Sequence, residues 1–197
     1  NGGNMVVSST GLVGGSGTVN LGGTGRALTV NGTLRPGNSP GHTIVNGDLV
    51  LTAGSITNVE LGGTTQGVNY DWIDVTGNAT LGGTMNVTNF GAFTPSAGQV
   101  FNVLTTGGSL SGTFATVNFP FGTQANTTYT ANTVRLDIIG ALTVNQWTSD
   151  IDGLWSDATK WSLGHAPTAG EAALISRPSA NPVITVSAPG QQAIQLL

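Results

Sequence analysis

Apolar residues alternate with polar ones in short runs along most of this chain. The runs include Val19/Leu21, Leu28/Val30, Leu49/Leu51, Val59/Leu61, Ile73/Val75, Met85/Val87, Val134/Leu136/Ile138 and Leu142/Val144. A period of two marks strands with one buried face. No segment keeps helical periodicity for three turns. The predicted strands are short, about 4–6 residues each. Gly and Asn punctuate them at Asn31-Gly32, Asn46-Gly47, Gly62-Gly63, Gly82-Gly83 and Gly107-Gly108. Both residue types tolerate positive φ, so the chain can turn corners there.

Two phrases recur. Leu-Gly-Gly starts at Leu21, Leu61 and Leu81, and Val-x-Gly, then one to three residues, then Leu spans Val30–Leu34, Val45–Leu49 and Val75–Leu81. The spacing allows a stack of β-hairpins, because Asn-Gly between alternating runs is a hairpin signal. It also allows a β-helix, and a step of about 20 residues suits one solenoid coil. Arg35–Gly41 interrupts the strands, its two prolines making a rigid bend. Phe114, Phe119, Phe121 and Tyr129 are expected to fill the last, wider coils of such a solenoid.

The character changes at Gln146. Trp147, Trp155 and Trp161 fall close together, with Asp150, Asp152 and Asp157 among them and Pro167, Pro178, Pro182 and Pro189 following. The expected division is a β-solenoid over 1–145 and a Trp-rich small β unit, cap or linking segment over 146–197.

Composition narrows the function classes. Only 7% of the 197 residues are charged, while 38% are hydrophobic and the net charge is −4. Disorder usually needs higher charge and lower hydrophobicity, so an ordered β protein is expected. Five Lys and Arg leave no footprint for nucleic acid. The absence of Cys excludes thiolate metal sites and Cys nucleophiles. No run approaches the ~20 apolar residues of a membrane helix. Asn1-Gly2-Gly3-Asn4 is unlike a signal peptide, and the chain reads as a piece of a longer or processed protein. Low charge with abundant Thr, Asn and Gly suits a bacterial extracellular or cell-surface location.

Several phrases together resemble a known family. They are Gly32-Thr33-Leu34-Arg35-Pro36-Gly37-Asn38-Ser39-Pro40-Gly41, Gly47-Asp48-Leu49-Val50-Leu51, Tyr70-Asp71-Trp72-Ile73-Asp74-Val75, Leu81-Gly82-Gly83-Thr84-Met85 and Ala97-Gly98-Gln99-Val100-Phe101. In this order, over roughly residues 10–120, they resemble the autotransporter-associated β-strand repeats of very large bacterial surface proteins. The resemblance implies an all-β, right-handed parallel β-helix and a surface role, and supplies no catalytic residues. Asp152–Trp155 and Trp161–Pro167 also resemble a Trp-Gly-Trp segment found between such repeats. The series of alternating strands of a membrane barrel is not seen.

The candidate chemistry is sparse. Strand parity places Asp71 with Ile73 and Val75, and Asp74 on the opposite side with Trp72, so the two carboxylates should not face each other as a glycosidase pair. Asp71 is expected to accept turn hydrogen bonds and Asp74 to be solvated. A structural calcium ion at Asp71 or at Asp150, Asp152 and Asp157 is the weaker alternative, and the EF-hand spacing fails there. No other cofactor is expected. His42 and His165 read as solvated loop residues. Trp147, Trp155 and Trp161 are either the core of the C-terminal unit, a sugar-stacking platform, or a segment joining subunits.

The expected function is therefore a non-catalytic extracellular structural or adhesive module. Open solenoid ends expose unpaired backbone groups, so self-association through the ends, even into a fibre, is expected. Surface glycans are the other expected partner. The alternatives are a carbohydrate-binding module centred on the three tryptophans and a carbohydrate-active β-helix enzyme.

Overall fold

The computed structural model describes residues 2–187, Pro189 and the backbone of Gln195 and Leu196. Two compact units are formed, one from Asn1–Pro120 with Ala125–Gly140, the other from Phe121–Gln124 with Ala141–Leu197.

The first unit winds through three strands per coil. Coil one comprises β1 (Met5–Val7), β2 (Leu12–Gly15) and β3 (Gly17–Asn20). Coil two comprises β4 (Ala27–Val30), β5 (Thr33–Pro36) and β6 (His42–Asn46). Coil three comprises β7 (Asp48–Leu51), β8 (Ile56–Leu61) and β9 (Trp72–Val75). Coil four comprises β10 (Ala79–Leu81), β11 (Thr84–Asn89) and β12 (Val100–Thr106). A fifth coil opens with β13 (Leu110–Gly112) and β14 (Thr116–Asn118), followed by β15 (Thr123–Tyr129) and β16 (Thr133–Ala141). First strands stack on first strands as β1-β4-β7-β10-β13, second on second as β2-β5-β8-β11-β14, and third on third as β3-β6-β9-β12. Pairing within these stacks is parallel, which makes the unit a parallel β-solenoid and sets aside the hairpin stack.

Register explains the sequence pattern. Met5, Leu28, Leu49, Ala79 and Leu110 align in one inward row, with steps of 23, 21, 30 and 31 residues. The first two steps are close to the ~20 residues suggested by Leu-Gly-Gly, and the next two are longer. Leu61 ends β8 and Leu81 ends β10, so that phrase marks corners of different sheets. Val45-Asn46-Gly47 and Val75-Thr76-Gly77 do mark one corner a full coil apart. Gly77 N donates to Gly47 O at 2.9 Å, and a Cβ on Gly77 would press on that same carbonyl. Only a residue without a side chain lets the backbones stack so closely.

The inward rows are aliphatic and continuous. Leu28, Val30, Leu34, Val45, Leu49, Val59 and Val75 are fully buried. Outward polar residues are laddered: Asn118 Nδ2 donates to Asn86 Oδ1 at 2.8 Å, and Asn86 Nδ2 to Asn58 Oδ1 at 3.1 Å. Such ladders satisfy amide groups between rungs and add to register.

The far end departs from the expected wide coils. There β16 pairs antiparallel with β12, and β15 lies beyond it in the same sheet. Thr130 N donates to Thr133 O at 2.9 Å and closes the turn between them. Phe114 is buried and Phe119 and Tyr129 pack on the core, but Phe121 falls in the second unit.

The second unit is a small parallel β structure. β17 (Thr143–Gln146), β19 (Glu171–Leu174) and β21 (Gln195–Leu196) form one sheet, and β18 (Gly153–Leu154) pairs with β20 (Ile184–Thr185). Thr143 aligns with Glu171, Ala172 with Gln195, and Gly153 with Ile184, steps of 28, 23 and 31 residues. These match the coil lengths of the first unit.

Candidate functional site: one corner of the solenoid

The corner between second and third strands carries the long connections. It holds one residue, Ser16, in coil one, then 37–41, then 62–71, then 90–99. Sheet sides are fixed by pairing, so extra length collects where no ladder must be kept. Each loop is tied down internally. Asn69 N donates to Thr65 O and Gly62 N to Asn69 O, both at 2.7 Å. Phe90 N donates to Leu61 O at 2.7 Å, and Ser96 N to Gln99 Oε1 at 2.8 Å. Tyr70 and Phe93 pack edge-on against Phe101, with ring centroids 5.0 and 6.3 Å away. Two apolar side chains are left outside: Val68 is 65% exposed and Phe90 42%.

Asp71 anchors this corner. It is fully buried, on the inward side with Ile73 and Val75 as parity requires. Its Oδ1 accepts from Gly41 N at 2.8 Å and its Oδ2 from Glu60 N at 2.9 Å. The carboxylate thus bonds the 37–41 loop of one coil to β8 of the next. Burial pushes its pKa up to about 6, although the two N–H donors pull the other way. With an N–H donor aimed at each oxygen, this carboxylate is a hydrogen-bond anchor between the coils.

Asp74 lies on the outer side with Trp72, and there it is partnered. Thr105 Oγ1 donates to Asp74 Oδ1 at 3.2 Å and accepts from Trp72 Nε1 at 2.9 Å. His42 corrects the loop reading. It opens strand β6, stacks on Trp72 with ring centroids 4.0 Å apart, and places Nε2 3.8 Å from Asp74 Oδ2. These four side chains clasp three successive coils. Trp72 aligns with His42 one coil earlier, so the cluster becomes legible only once the 30-residue step is known. His165 is an exposed loop residue 3.6 Å from Glu171.

The three tryptophans are interior. Trp147, Trp155 and Trp161 are 0%, 5% and 3% exposed. Trp147 and Trp155 each meet Trp161 edge-on, at 5.2 and 4.9 Å between centroids. Trp161 Nε1 donates to Trp155 O at 2.8 Å. Sugar stacking needs an open ring face, and these rings have none in this arrangement. Asp150 pairs with Arg177, Asp152 Oδ1 accepts from Val183 N at 2.8 Å, and Asp157 Oδ1 from Thr159 N at 3.1 Å. The three carboxylates are thus spent on separate local contacts. Among the described residues no group of three or more His, Asp or Glu is placed to hold a metal ion.

The chain is similar to an autotransporter adhesin. Over 143 residues it is 34% identical to the adhesin BmaC autotransporter of Brucella suis biovar 1 (strain 1330), which covers 70% of this chain and 4% of that protein. The chain thus spans a small part of that relative's length. No family model matches. The similarity agrees with the autotransporter passenger resemblance in the sequence.

Proposed function

We propose that this chain is a non-catalytic, extracellular segment of a bacterial surface protein, in which the solenoid is a rigid spacer and its loop corner an adhesive face. The observation that carries the reading is similarity to an adhesin over 70% of the chain, combined with a parallel solenoid whose variable length gathers at one corner. Binding residues favour loops held by a rigid scaffold. Val68 and Phe90 project from neighbouring loops there and supply apolar contact area. Low charge fits a surface that works through apolar and Asn/Thr contacts rather than electrostatic steering. Association through a solenoid end belongs to this reading, with surface glycans as the alternative contact.

Beads coated with the chain test it. They are expected to adhere to cultured animal cells or extracellular matrix, and Val68→Ser with Phe90→Ser to lower adhesion severalfold. Equal adhesion of the double variant would remove the corner from the account. No adhesion above albumin-coated beads would remove the adhesive role.

A further inference from the structure

The 62–71 loop rests on a titratable footing. Gln66 Nε2 donates to Asn102 O and Gly67 N to Tyr70 O, both at 2.9 Å. A Cβ on Gly67 would lie 3.2 Å from Trp72 Cε3 and 3.3 Å from His42 Cβ. The loop backbone therefore sits directly on the His42–Trp72 stack, and Val68, the next residue, projects from it. The strands that carry the stack, β6 and β9, are each paired on both sides.

One atom of this footing lacks a partner. His42 Nε2 is buried, makes no hydrogen bond among the described residues and stands 3.8 Å from Asp74 Oδ2. Asp74 Oδ1 already accepts from Thr105 Oγ1, so Oδ2 is the oxygen that faces the imidazole. A second ring proton would place an imidazolium between the Asp74 carboxylate and the face of Trp72. Opposite charge and an indole face both attract a cation. Histidine side chains titrate between about pH 5 and 8, where an ordinary carboxylate stays charged.

The other groups around the stack do not compete. The paired strand β3, the 37–41 loop and β12 carry no charged side chain. Arg35 and Glu60 pair with each other at 3.3 Å. Burial pushes the Tyr70 hydroxyl up, away from this range. Asp71 faces inward at the root of the same loop, and its neutralisation in acid removes a buried charge there. Inner and outer footings thus respond to acid in the same direction.

We propose that His42, Trp72 and Asp74 form a proton-operated latch that holds the 62–71 loop firm in acid and loosens it above neutral pH. The latch regulates the corner, and its bearing on adhesion rests on the reading of that corner as the adhesive face. Without the second proton His42 keeps its stack but loses the pull of Asp74, so the loop's seat is softer.

The chain has no cysteine, so Val68→Cys takes a single nitroxide label on the loop. The label's rotation, read by electron paramagnetic resonance, is expected to be severalfold slower at pH 5 than at pH 8. His42→Phe keeps a stacked ring without a titrating nitrogen. Asp74→Asn keeps an acceptor for Thr105 without the charge. Each should remove most of the pH difference while far-UV dichroism stays unchanged, the remainder belonging to Asp71. Equal rotation at both pH values, or a difference of unchanged size in both variants, overturns the latch and leaves the bead-adhesion result standing. A pH-dependent label beside failed bead adhesion keeps the latch and removes the adhesive reading.

Discussion

The two units use coils in the same range of lengths with different cores. The first fills its interior with aliphatic side chains that repeat from rung to rung, so each coil is supported by the next. The second concentrates burial in three tryptophans and a few small or branched residues, with Ala173 among them. The lesson is that a repeating backbone can be stabilised by a distributed row or by one dense cluster, and the two should fail differently. A row loses one layer, whereas a cluster loses its keystone.

The sharpest way to break the comparison is Trp161→Ala. It removes the ring that both other tryptophans meet and leaves Trp155 O without its donor. A loss of about 3–5 kcal/mol is expected, confined to the fluorescence-detected transition of the second unit. Leu49→Ala in the first unit should cost about 2–5 kcal/mol and move the far-UV transition instead. One shared transition for both variants would show that the units unfold together.

Asp71 gives the first unit a pH dependence of predictable sign. Its folded pKa is about 6, above the ordinary 3.8. Its contribution to stability is therefore full near pH 4 and lost as pH rises through about 6. The first unit should gain on the order of 2–3 kcal/mol from this group between pH 7 and pH 4. Denaturant titrations of wild type and Asp71→Asn at both pH values check this, and equal slopes would refute it.

Smaller effects probe the loop and the ladder. Gly37 has φ +76°, and a Cβ there would press on Gly41 N and Asp71 Oδ1. Gly37→Ala should destabilise the first unit by more than about 1 kcal/mol, read as a lower denaturation midpoint. Asn86→Ala, which cuts the amide ladder, should cost only about 0.5–1.5 kcal/mol by the same measurement.

Much of the first unit was legible because its rule is local. Alternation gave the inward rows, and parity alone placed Asp71 inside and Asp74 outside. Asn-Gly and Gly-Gly located corners, but not which corner, since any turn between strands can use them. The longer coils were missed for that reason, and His42 was misplaced with them, because its neighbours lie a full coil away. The reversal at β16 left no signal either. Val134, Leu136 and Ile138 alternate identically whether a strand runs parallel or antiparallel. The tryptophans signalled a change of character at Gln146, but their burial depends on how the chain packs back upon itself.

The ladder arrangement has a mechanical consequence. Hydrogen bonds in a solenoid run along the stacking direction, so a pull along that direction loads them in tension. At each rung of the first unit the load is divided among three sheets, while successive rungs carry it in series. Failure then begins at the shortest pairings, the two-residue contacts of β5 with β8 and of β7 with β10. Adding coils would lengthen such a tether without lowering the force at which it first parts.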